Sequence, residues 1–141
     1  MESKASAQWT GSLKEGNGEV STASGALAQA GYRFPARFEG AKGLNPEELL
    51  GAAHAACFSM AVSAELGKAG ITPKAVKTHA TVTLDKDGAG FAVTKSHLDV
   101  VVEAPGADKK KVEAATEAAK VGCPLSKVIK AQITMSARYE V

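Results

Sequence analysis

The longest apolar stretch of the chain, residues 45–68, predicts one long helix. Asn45 is a good N-cap, Pro46 suits the first helical position, and Glu48 has the spacing of a capping-box acid. Gly67 indicates where the helix ends. Apolar side chains cover nearly its whole circumference, which is typical of a buried helix: Leu49, Leu50, Ala52, Ala53, Ala56, Phe58, Met60, Ala61, Val62 and Leu66.

Alternating apolar and polar positions predict strands on both sides of this helix. Residues 8–13 and 19–22 form a hairpin around a glycine-rich turn, and residues 76–85 and 91–103 form a second hairpin. Residues 25–42 have no clear period, so we expect a short strand-like piece followed by a loop that leads into the long helix.

The C-terminal third predicts two helices and a last strand. Asp108 can cap a helix over residues 109–121, and Cys123 stands at the N-cap of a short helix over residues 125–130. Residues 132–141 alternate as a strand. The order indicates an α+β fold with antiparallel sheet packed around a long buried central helix, in a single domain over residues 1–141.

Composition excludes several classes of function. The net charge of +2 is too small to indicate nucleic-acid binding, and Lys109 to Lys111 are followed by acidic residues, as on a solvated helix face. We expect no membrane span, because no segment is long enough and the central stretch is rich in alanine, serine and glycine. The N-terminus lacks a signal-peptide core, which predicts a cytoplasmic protein, where structural disulfides are rare.

The two cysteines, Cys57 and Cys123, are the first candidates for chemistry. A helix N-terminus favours the thiolate of Cys123, whereas a mid-helix thiol such as Cys57 has a raised pKa unless a cation is near. Arg37 and Arg33 are the available cations, and Glu47 or Glu48 could hold an arginine in a bidentate pair. The residues alone leave two readings of Cys57, a reactive thiol and an inert core thiol.

The histidines are weaker candidates. His54 lies one turn before Cys57 and could support it, although a packed helical histidine is the simpler interpretation. His54, Cys57 and Cys123 would supply only three metal ligands, so we expect no metal site. His79 and His97 lie on strands among polar residues and are interpreted as surface residues.

Four motifs together resemble the OsmC branch of the OsmC/Ohr family. They are Arg37 to Gly40 (RFEG), Asn45 to Leu49 (NPEEL), Ala52 to Met60 (AAHAACFSM) and Gly122 to Ser126 (GCPLS). The resemblance extends over essentially the whole chain, including the N-terminal hairpin. The combination of NPEEL, AHAACFSM and GCP is far more specific than either cysteine alone.

The resemblance implies an OsmC-like fold, an intertwined homodimer and thiol peroxidase activity without metal, haem or other cofactor. It implies that Cys57 is the peroxidatic cysteine and Cys123 the resolving cysteine. Arg37 matches the arginine of the family, and Glu47 matches the glutamate that orients it. Glu48 and His54 remain possible supporting residues.

The implied reaction agrees with the residue types. A Cys57 thiolate would attack a hydroperoxide and become a sulfenic acid, Cys123 would condense with it to a disulfide, and an external dithiol would reduce that disulfide. Four apolar residues have two interpretations: Phe34, Phe38, Phe58 and Met60. They could form an apolar mouth of the active site that favours organic hydroperoxides over hydrogen peroxide, or they could be ordinary core residues. The alternative function is a non-enzymatic binding or stress-related structural protein with inert buried thiols.

Overall fold

The structure, a computed structural model, describes residues 1–141. It contains six strands and four helices: β1 Ala5–Thr10, β2 Asn17–Thr22, β3 Ala30–Tyr32, α1 Phe34–Phe38, α2 Pro46–Lys68, β4 Ala75–Asp87, β5 Gly90–Glu103, α3 Lys109–Gly122, α4 Pro124–Val128 and β6 Gln132–Glu140. Contacts divide the chain into two compact units, Met1–Leu49 and Leu50–Val141. The expected α+β class, with two sheets and a central helix, is confirmed.

The first unit contains a three-stranded antiparallel sheet in the order β1-β2-β3. The predicted hairpin is confirmed, with Trp9 opposite Gly18 and Gly18 opposite Tyr32. The rings of Trp9 and Tyr32 lie 5.5 Å apart, and a Cβ at Gly18 would meet both side chains closer than atoms can approach. Gly18 is therefore required by the close packing of the two aromatic rings.

The loop expected before the long helix contains the short helix α1, which was not predicted from the sequence. Pro35 stands in its first turn, a position that needs no backbone donor, and the N–H of Glu39 bonds to the Pro35 carbonyl. Arg37 therefore lies on a helical turn and not in an irregular loop. A five-residue helix has too few positions to produce a recognisable period.

The start of α2 is as predicted. The Asn45 side-chain oxygen accepts the N–H of Glu48 at 2.8 Å, and the Asn45 amide donates to the Ala36 carbonyl at 2.9 Å. The capping box is wrong, because the exposed Glu48 carboxylate makes no hydrogen bond back to Asn45. Asn45 alone caps the helix and also ties it to α1.

The second unit contains a three-stranded sheet in the order β4-β5-β6. Strands β4 and β5 form the predicted antiparallel hairpin, with a register shift between Thr83 and Leu84. Strand β6 pairs parallel to β5, so the expectation of purely antiparallel sheet is wrong at this one pairing. The chain crosses over through α3 and α4 before β6, which provides the long connection that a parallel pair of strands requires.

One face of α2 belongs to the core of the second unit, and the opposite face is exposed. Buried positions recur every four residues through His54, Phe58, Val62 and Leu66, and the last three pack with apolar residues of β5 and α3. The expectation of a helix buried all round is wrong, because Met60 is 74% exposed and a row of small residues beside it is also exposed: Ala52, Ala53, Ala56, Ser63, Ala64 and Gly67.

By length and composition, α2 could cross a membrane, which corrects the expectation that no segment is long enough. Core helices of soluble proteins satisfy the same two criteria. Only 28% of the most apolar window of α2 is buried within the chain. Composition therefore does not decide what covers its exposed face.

The N-caps of α3 and α4 are the predicted residues, Asp108 and Cys123. Asp108 caps α3 by accepting the N–H of Lys111 at 3.2 Å, and the inward positions of α3 include Val112, Ala115 and Ala119. Cys123 is at once the C-cap of α3 and the N-cap of α4. This tight connection leaves Cys123 wholly buried, at 0% exposure.

Candidate active site

The two cysteine sulfurs meet in the second unit. Cys57 lies on α2 and Cys123 at the α3–α4 junction, and their Sγ atoms are 3.1 Å apart. Both cysteines are free thiols, Cys57 partly exposed and Cys123 buried. A disulfide needs about 2.05 Å between the sulfurs, so a shift of about 1 Å would join them.

Burial raises the pKa of the Cys57 thiol above its ordinary value. The Leu125 backbone N–H acts in the opposite direction, while the Cys123 thiol raises the pKa of Cys57 further. The expectation of a raised pKa for this mid-helix thiol is therefore confirmed. Within the second unit, no cation offsets the desolvation of Cys57.

The surroundings of Cys123 have the opposite effect. Burial alone would raise the pKa of Cys123, but the Ser126 backbone N–H, the Cys57 thiol, the Ser126 hydroxyl and the Leu125 N–H together lower it. In the neutral pair Cys123 donates to the Cys57 sulfur. Once one thiol ionises, the N–H groups at the start of α4 favour the charge on Cys123, with Cys57 as donor.

Arg37 and Glu47 form an ion pair in the first unit. Arg37 Nη2 lies 2.8 Å from Glu47 Oε1, and Arg37 Nε lies 3.3 Å from both carboxylate oxygens. Glu47 is 8% exposed in the first turn of α2, and the guanidinium also lies 5.3 Å from the centre of the Phe38 ring. These contacts hold the guanidinium plane in one orientation.

The two supporting candidates, Glu48 and His54, have different surroundings. Glu48 is exposed and its carboxylate has no partner. His54 is 0% exposed, and its Nδ1 and Nε2 bond to the hydroxyls of Ser96 and Ser126 at 2.8 and 2.9 Å. Desolvation by burial lowers the pKa of His54, so the ring is neutral at neutral pH.

Ser96 and the hydroxyl of Ser126 were not among the residues predicted from the sequence. Ser96 shares the inward face of β5 with Leu98, Val100 and Val102, and it is wholly buried. That alternation was the available signal, since a serine among buried apolar residues needs a hydrogen-bond partner. Ser126 belongs to the GCPLS motif, in which the cysteine alone was predicted to have a role.

The four residues expected to form an apolar mouth are divided between the two units. Phe34 and Phe38 line a groove of about 380 Å³ in the first unit, with Trp9, Leu13, Tyr32, Arg33 and Arg37. Phe58 is wholly buried in the core of the second unit, so of the two alternatives the core holds for this residue. Met60 is exposed. Among residues 1–141, no group of three or more histidine, cysteine or carboxylate side chains is placed to hold a metal ion.

Comparison with known proteins agrees with the motifs. A family model described as OsmC-like protein matches residues 39–138, which is more than half of the chain. The chain belongs to the OsmC family. It is 55% identical over 132 residues to the peroxiredoxin OsmC of Escherichia coli strain K12, covering 94% of this chain and 92% of that protein. A protein of the same name from Shigella flexneri matches to the same extent.

Solved structures of related proteins have the same fold as this member of the OsmC family. The organic hydroperoxide resistance protein OhrB of Bacillus subtilis aligns with a TM-score of 0.71 at 25% identity, covering 96% of this chain and 97% of that one. An organic hydroperoxide resistance protein from Elizabethkingia anophelis aligns with a TM-score of 0.72 at 26% identity, covering 96% and 94% of the two chains.

Proposed function

We propose that Cys57 is the peroxidatic and Cys123 the resolving cysteine of this enzyme. The protein is a thiol-dependent peroxidase of the OsmC family. The observation that supports the two roles is the 3.1 Å separation of two free thiols, one partly exposed and one wholly buried. The more accessible sulfur is the one that a peroxide can reach.

The reaction proceeds in three steps. The Cys57 thiolate attacks one oxygen of the hydroperoxide, the O–O bond breaks, and an alcohol or water leaves while Cys57 becomes a sulfenic acid. The Cys123 sulfur then displaces water from that sulfenic acid and forms the disulfide. An external dithiol, the partner that the cycle requires, returns both residues to thiols.

Arg37 supplies the positive charge that Cys57 requires, and Glu47 holds Arg37 in position. Three features support these roles: the raised pKa of Cys57, the bidentate ion pair, and the burial of Glu47. A fixed guanidinium favours the thiolate and can stabilise negative charge on the departing oxygen. Glu48 has at most the minor role of an exposed acid in the first turn of a helix.

The preferred substrates are organic hydroperoxides, and hydrogen peroxide is a second, poorer substrate. The lining of the groove in the first unit supports this choice. Beside the guanidinium groups of Arg33 and Arg37, it contains Leu13 and four aromatic rings, those of Trp9, Tyr32, Phe34 and Phe38. Such a lining suits an apolar organic group and offers little to a small polar peroxide. The names of the OhrB-type relatives point in the same direction.

The working enzyme is a homodimer in the cytoplasm, with neither membrane nor nucleic acid as a partner and no cofactor. The exposed small-residue face of α2 supports the dimer, because a second copy of the chain is a simple way to cover it. Small side chains allow two backbones to approach closely. An exposed apolar face of this length is rarely left open to solvent.

Steady-state turnover tests the proposed function. The wild-type protein is supplied with cumene hydroperoxide, a fatty-acid hydroperoxide or hydrogen peroxide, each with several dithiols, and the Cys57→Ser variant is the control. We expect turnover with organic peroxides and none in the variant. If the two thiols remain titratable after one equivalent of cumene hydroperoxide, the alternative of a non-enzymatic protein with inert thiols is correct.

A further inference from the structure

Two contacts, one helical turn apart, join α2 to the chain at the start of α4. Cys57 Sγ lies 3.1 Å from Cys123 Sγ, and His54 Nε2 lies 2.9 Å from the Ser126 hydroxyl. On each side the two residues are three positions apart in the chain. Helical residues with this spacing share one face, so the hydrogen bond and the sulfur contact lie side by side between the same two elements.

The His54 ring is also held from a third element. The Ser96 hydroxyl of β5 lies 2.8 Å from Nδ1, and both His54 and Ser96 are wholly buried. A neutral imidazole has one donor and one acceptor nitrogen, and a serine hydroxyl can either donate or accept, so either tautomer of the ring satisfies both serines. The ring is therefore fixed between β5 and α4 whichever nitrogen carries the proton.

Helix α4 has few other attachments. It has five residues and none of them is buried, although Leu125 packs against the core from a partly buried position. The bond between Ser126 and His54 is the only side-chain hydrogen bond that α4 makes to α2. Without this bond the short helix would be free to turn about Leu125, and Cys123 at its N-cap would move with it.

A polar residue at position 54 interrupts an apolar row. The buried positions of α2 recur every four residues, and the three that follow His54 are apolar: Phe58, Val62 and Leu66. Burying an imidazole together with a serine hydroxyl costs free energy that an apolar pair would not cost, and their hydrogen bonds offset it. Hydrogen bonds also fix a direction, which apolar contacts do not. A directed contact suits the task of keeping two sulfurs at a set distance.

We propose that His54 is a positioning residue for the resolving step, because its bond to Ser126 holds α4 against α2 and so keeps Cys123 beside Cys57. The inference rests on the proposed function, in which a peroxide oxidises Cys57 and Cys123 resolves it. Ser96 orients the imidazole from β5. His54 and Ser96 make no hydrogen bond to either sulfur, so they act through the position of α4.

The resolving step competes with a second oxidation. The Cys123 sulfur attacks the sulfur of the Cys57 sulfenic acid, an S–S bond forms, the S–O bond breaks, and the Cys123 proton leaves with the hydroxide as water. A second peroxide molecule would instead convert the sulfenic acid into a sulfinic acid. Holding Cys123 in place raises its effective concentration at Cys57, which favours the disulfide.

Intact-mass measurements follow this competition. The reduced protein is mixed with increasing concentrations of cumene hydroperoxide, quenched at successive times and weighed, since a sulfinic acid adds two oxygens and a disulfide removes two hydrogens. His54→Leu, Ser126→Ala and the double variant are compared with the wild type. Ser126→Ala removes a partly buried side chain and keeps the test valid if His54→Leu does not fold. Ser59→Ala is the matched control, because it removes a 2.8 Å bond from α2 to Thr78 instead.

We expect about tenfold less peroxide to give the same sulfinic fraction in Ser126→Ala and in His54→Leu, the effect of one lost buried hydrogen bond, while Cys57 is first oxidised at the wild-type rate. The double variant should be no more sensitive than the more sensitive single variant, because both substitutions remove the same bond. His54→Gln, whose amide can still bond to Ser126, should recover most of the resistance. Wild-type resistance in Ser126→Ala would overturn the inference, and so would additive effects in the double variant.

Equilibration with glutathione tests the inference without peroxide. Glutathione disulfide converts the two protein thiols into a disulfide and is itself reduced to two thiols, so the equilibrium constant reports the effective concentration of one cysteine at the other. We expect this constant to fall by about tenfold in Ser126→Ala and to stay at the wild-type value in Ser59→Ala. Such a fall, together with a Cys57 that peroxides do not oxidise, would refute the proposed cysteine roles but not the positioning. Equal constants in all the proteins would refute the positioning.

Discussion

The sulfurs of Cys57 and Cys123 lie 3.1 Å apart although 66 positions separate the two residues in the chain. Their surroundings differ, because burial raises the pKa of Cys57 while the N–H groups at the start of α4 hold the pKa of Cys123 below its ordinary value. Without further charge, Cys123 is the more acidic of the two thiols. The accessible thiol therefore needs help from outside its immediate neighbourhood.

The first prediction separates the roles of the two cysteines. Cys57→Ser should abolish peroxide consumption, because no other thiol is partly exposed. Cys123→Ser should reduce one equivalent of peroxide and then stop or become overoxidised, since its sulfenic acid has no partner. Peroxide is measured over several turnovers with a dithiol present. Sustained wild-type turnover by Cys123→Ser would exclude Cys123 as the resolving residue.

The second prediction concerns the ion pair of Arg37 and Glu47. Arg37→Ala should lower the peroxide rate at neutral pH by tenfold or more, which corresponds to at least about 1.4 kcal/mol of activation free energy. Glu47→Ala should lose less, because the charge remains and only its orientation relaxes. Arg33→Ala is the matched control, an exposed arginine of the same groove without an ion pair.

The same variants are also tested without substrate. In a Cys123→Ser background, the pH dependence of Cys57 alkylation should move to higher pH in Arg37→Ala and stay unchanged in Arg33→Ala. An unaltered profile together with an unaltered peroxide rate in Arg37→Ala would remove Arg37 from the mechanism.

The third prediction concerns acid stability. The folded-state pKa of His54 is lowered below 6.5, so the unfolded chain binds more protons than the folded chain as the pH falls through 6.5. The stabilisation that comes from keeping His54 neutral is complete above pH 6.5 and is lost as the pH falls toward the folded-state pKa of His54. The free energy of unfolding, from urea titrations at pH about 7.5 and about 5 at one protein concentration, should fall less with acid in His54→Gln than in the wild type.

The control for acid stability is His79→Gln, which changes an exposed histidine on β4. It should retain the acid dependence of the wild type. If His54→Gln and the wild type lose the same free energy of unfolding between the two pH values, His54 is not held neutral by the fold.

The fourth prediction tests the dimer. Ala64→Glu adds a charge to the exposed small-residue face of α2, where a second copy would have to bury it, and should shift the protein toward monomer. Ala118→Glu, an exposed alanine on α3, is the matched control. Light scattering at micromolar concentration measures both. A well-folded wild-type monomer under these conditions would show that the face is not a dimer interface.

Much of the local structure follows from short-range rules. The Asn45 cap, the two hairpins, the Asp108 cap and the position of Cys123 at the start of α4 were predicted from a few neighbouring residues each, and the structure confirms them. Caps and turns depend on hydrogen bonds within three or four positions, so the sequence contains all the information that they need.

The long-range relationships could only come from the tertiary structure. The parallel pairing of β6, the exposed face of α2 and the burial of Phe58 each depend on which distant segment packs against which. An apolar residue is equally compatible with a core and with an interface, so composition cannot choose between them. The caps and the apolar length of α2 identified the helix but not the side that the sheet would cover.

The candidate site also combines features that the sequence predicts with features that only the tertiary structure reveals. The sequence by itself determined which residue types were present and, through the family motifs, which cysteines and which ion pair to examine. Only the fold decided that the two sulfurs are in contact, that Cys123 is the more acidic, and that His54 connects Ser96 to Ser126. Distances between side chains far apart in the chain, and the pKa shifts that desolvation produces, exist only after the chain has packed.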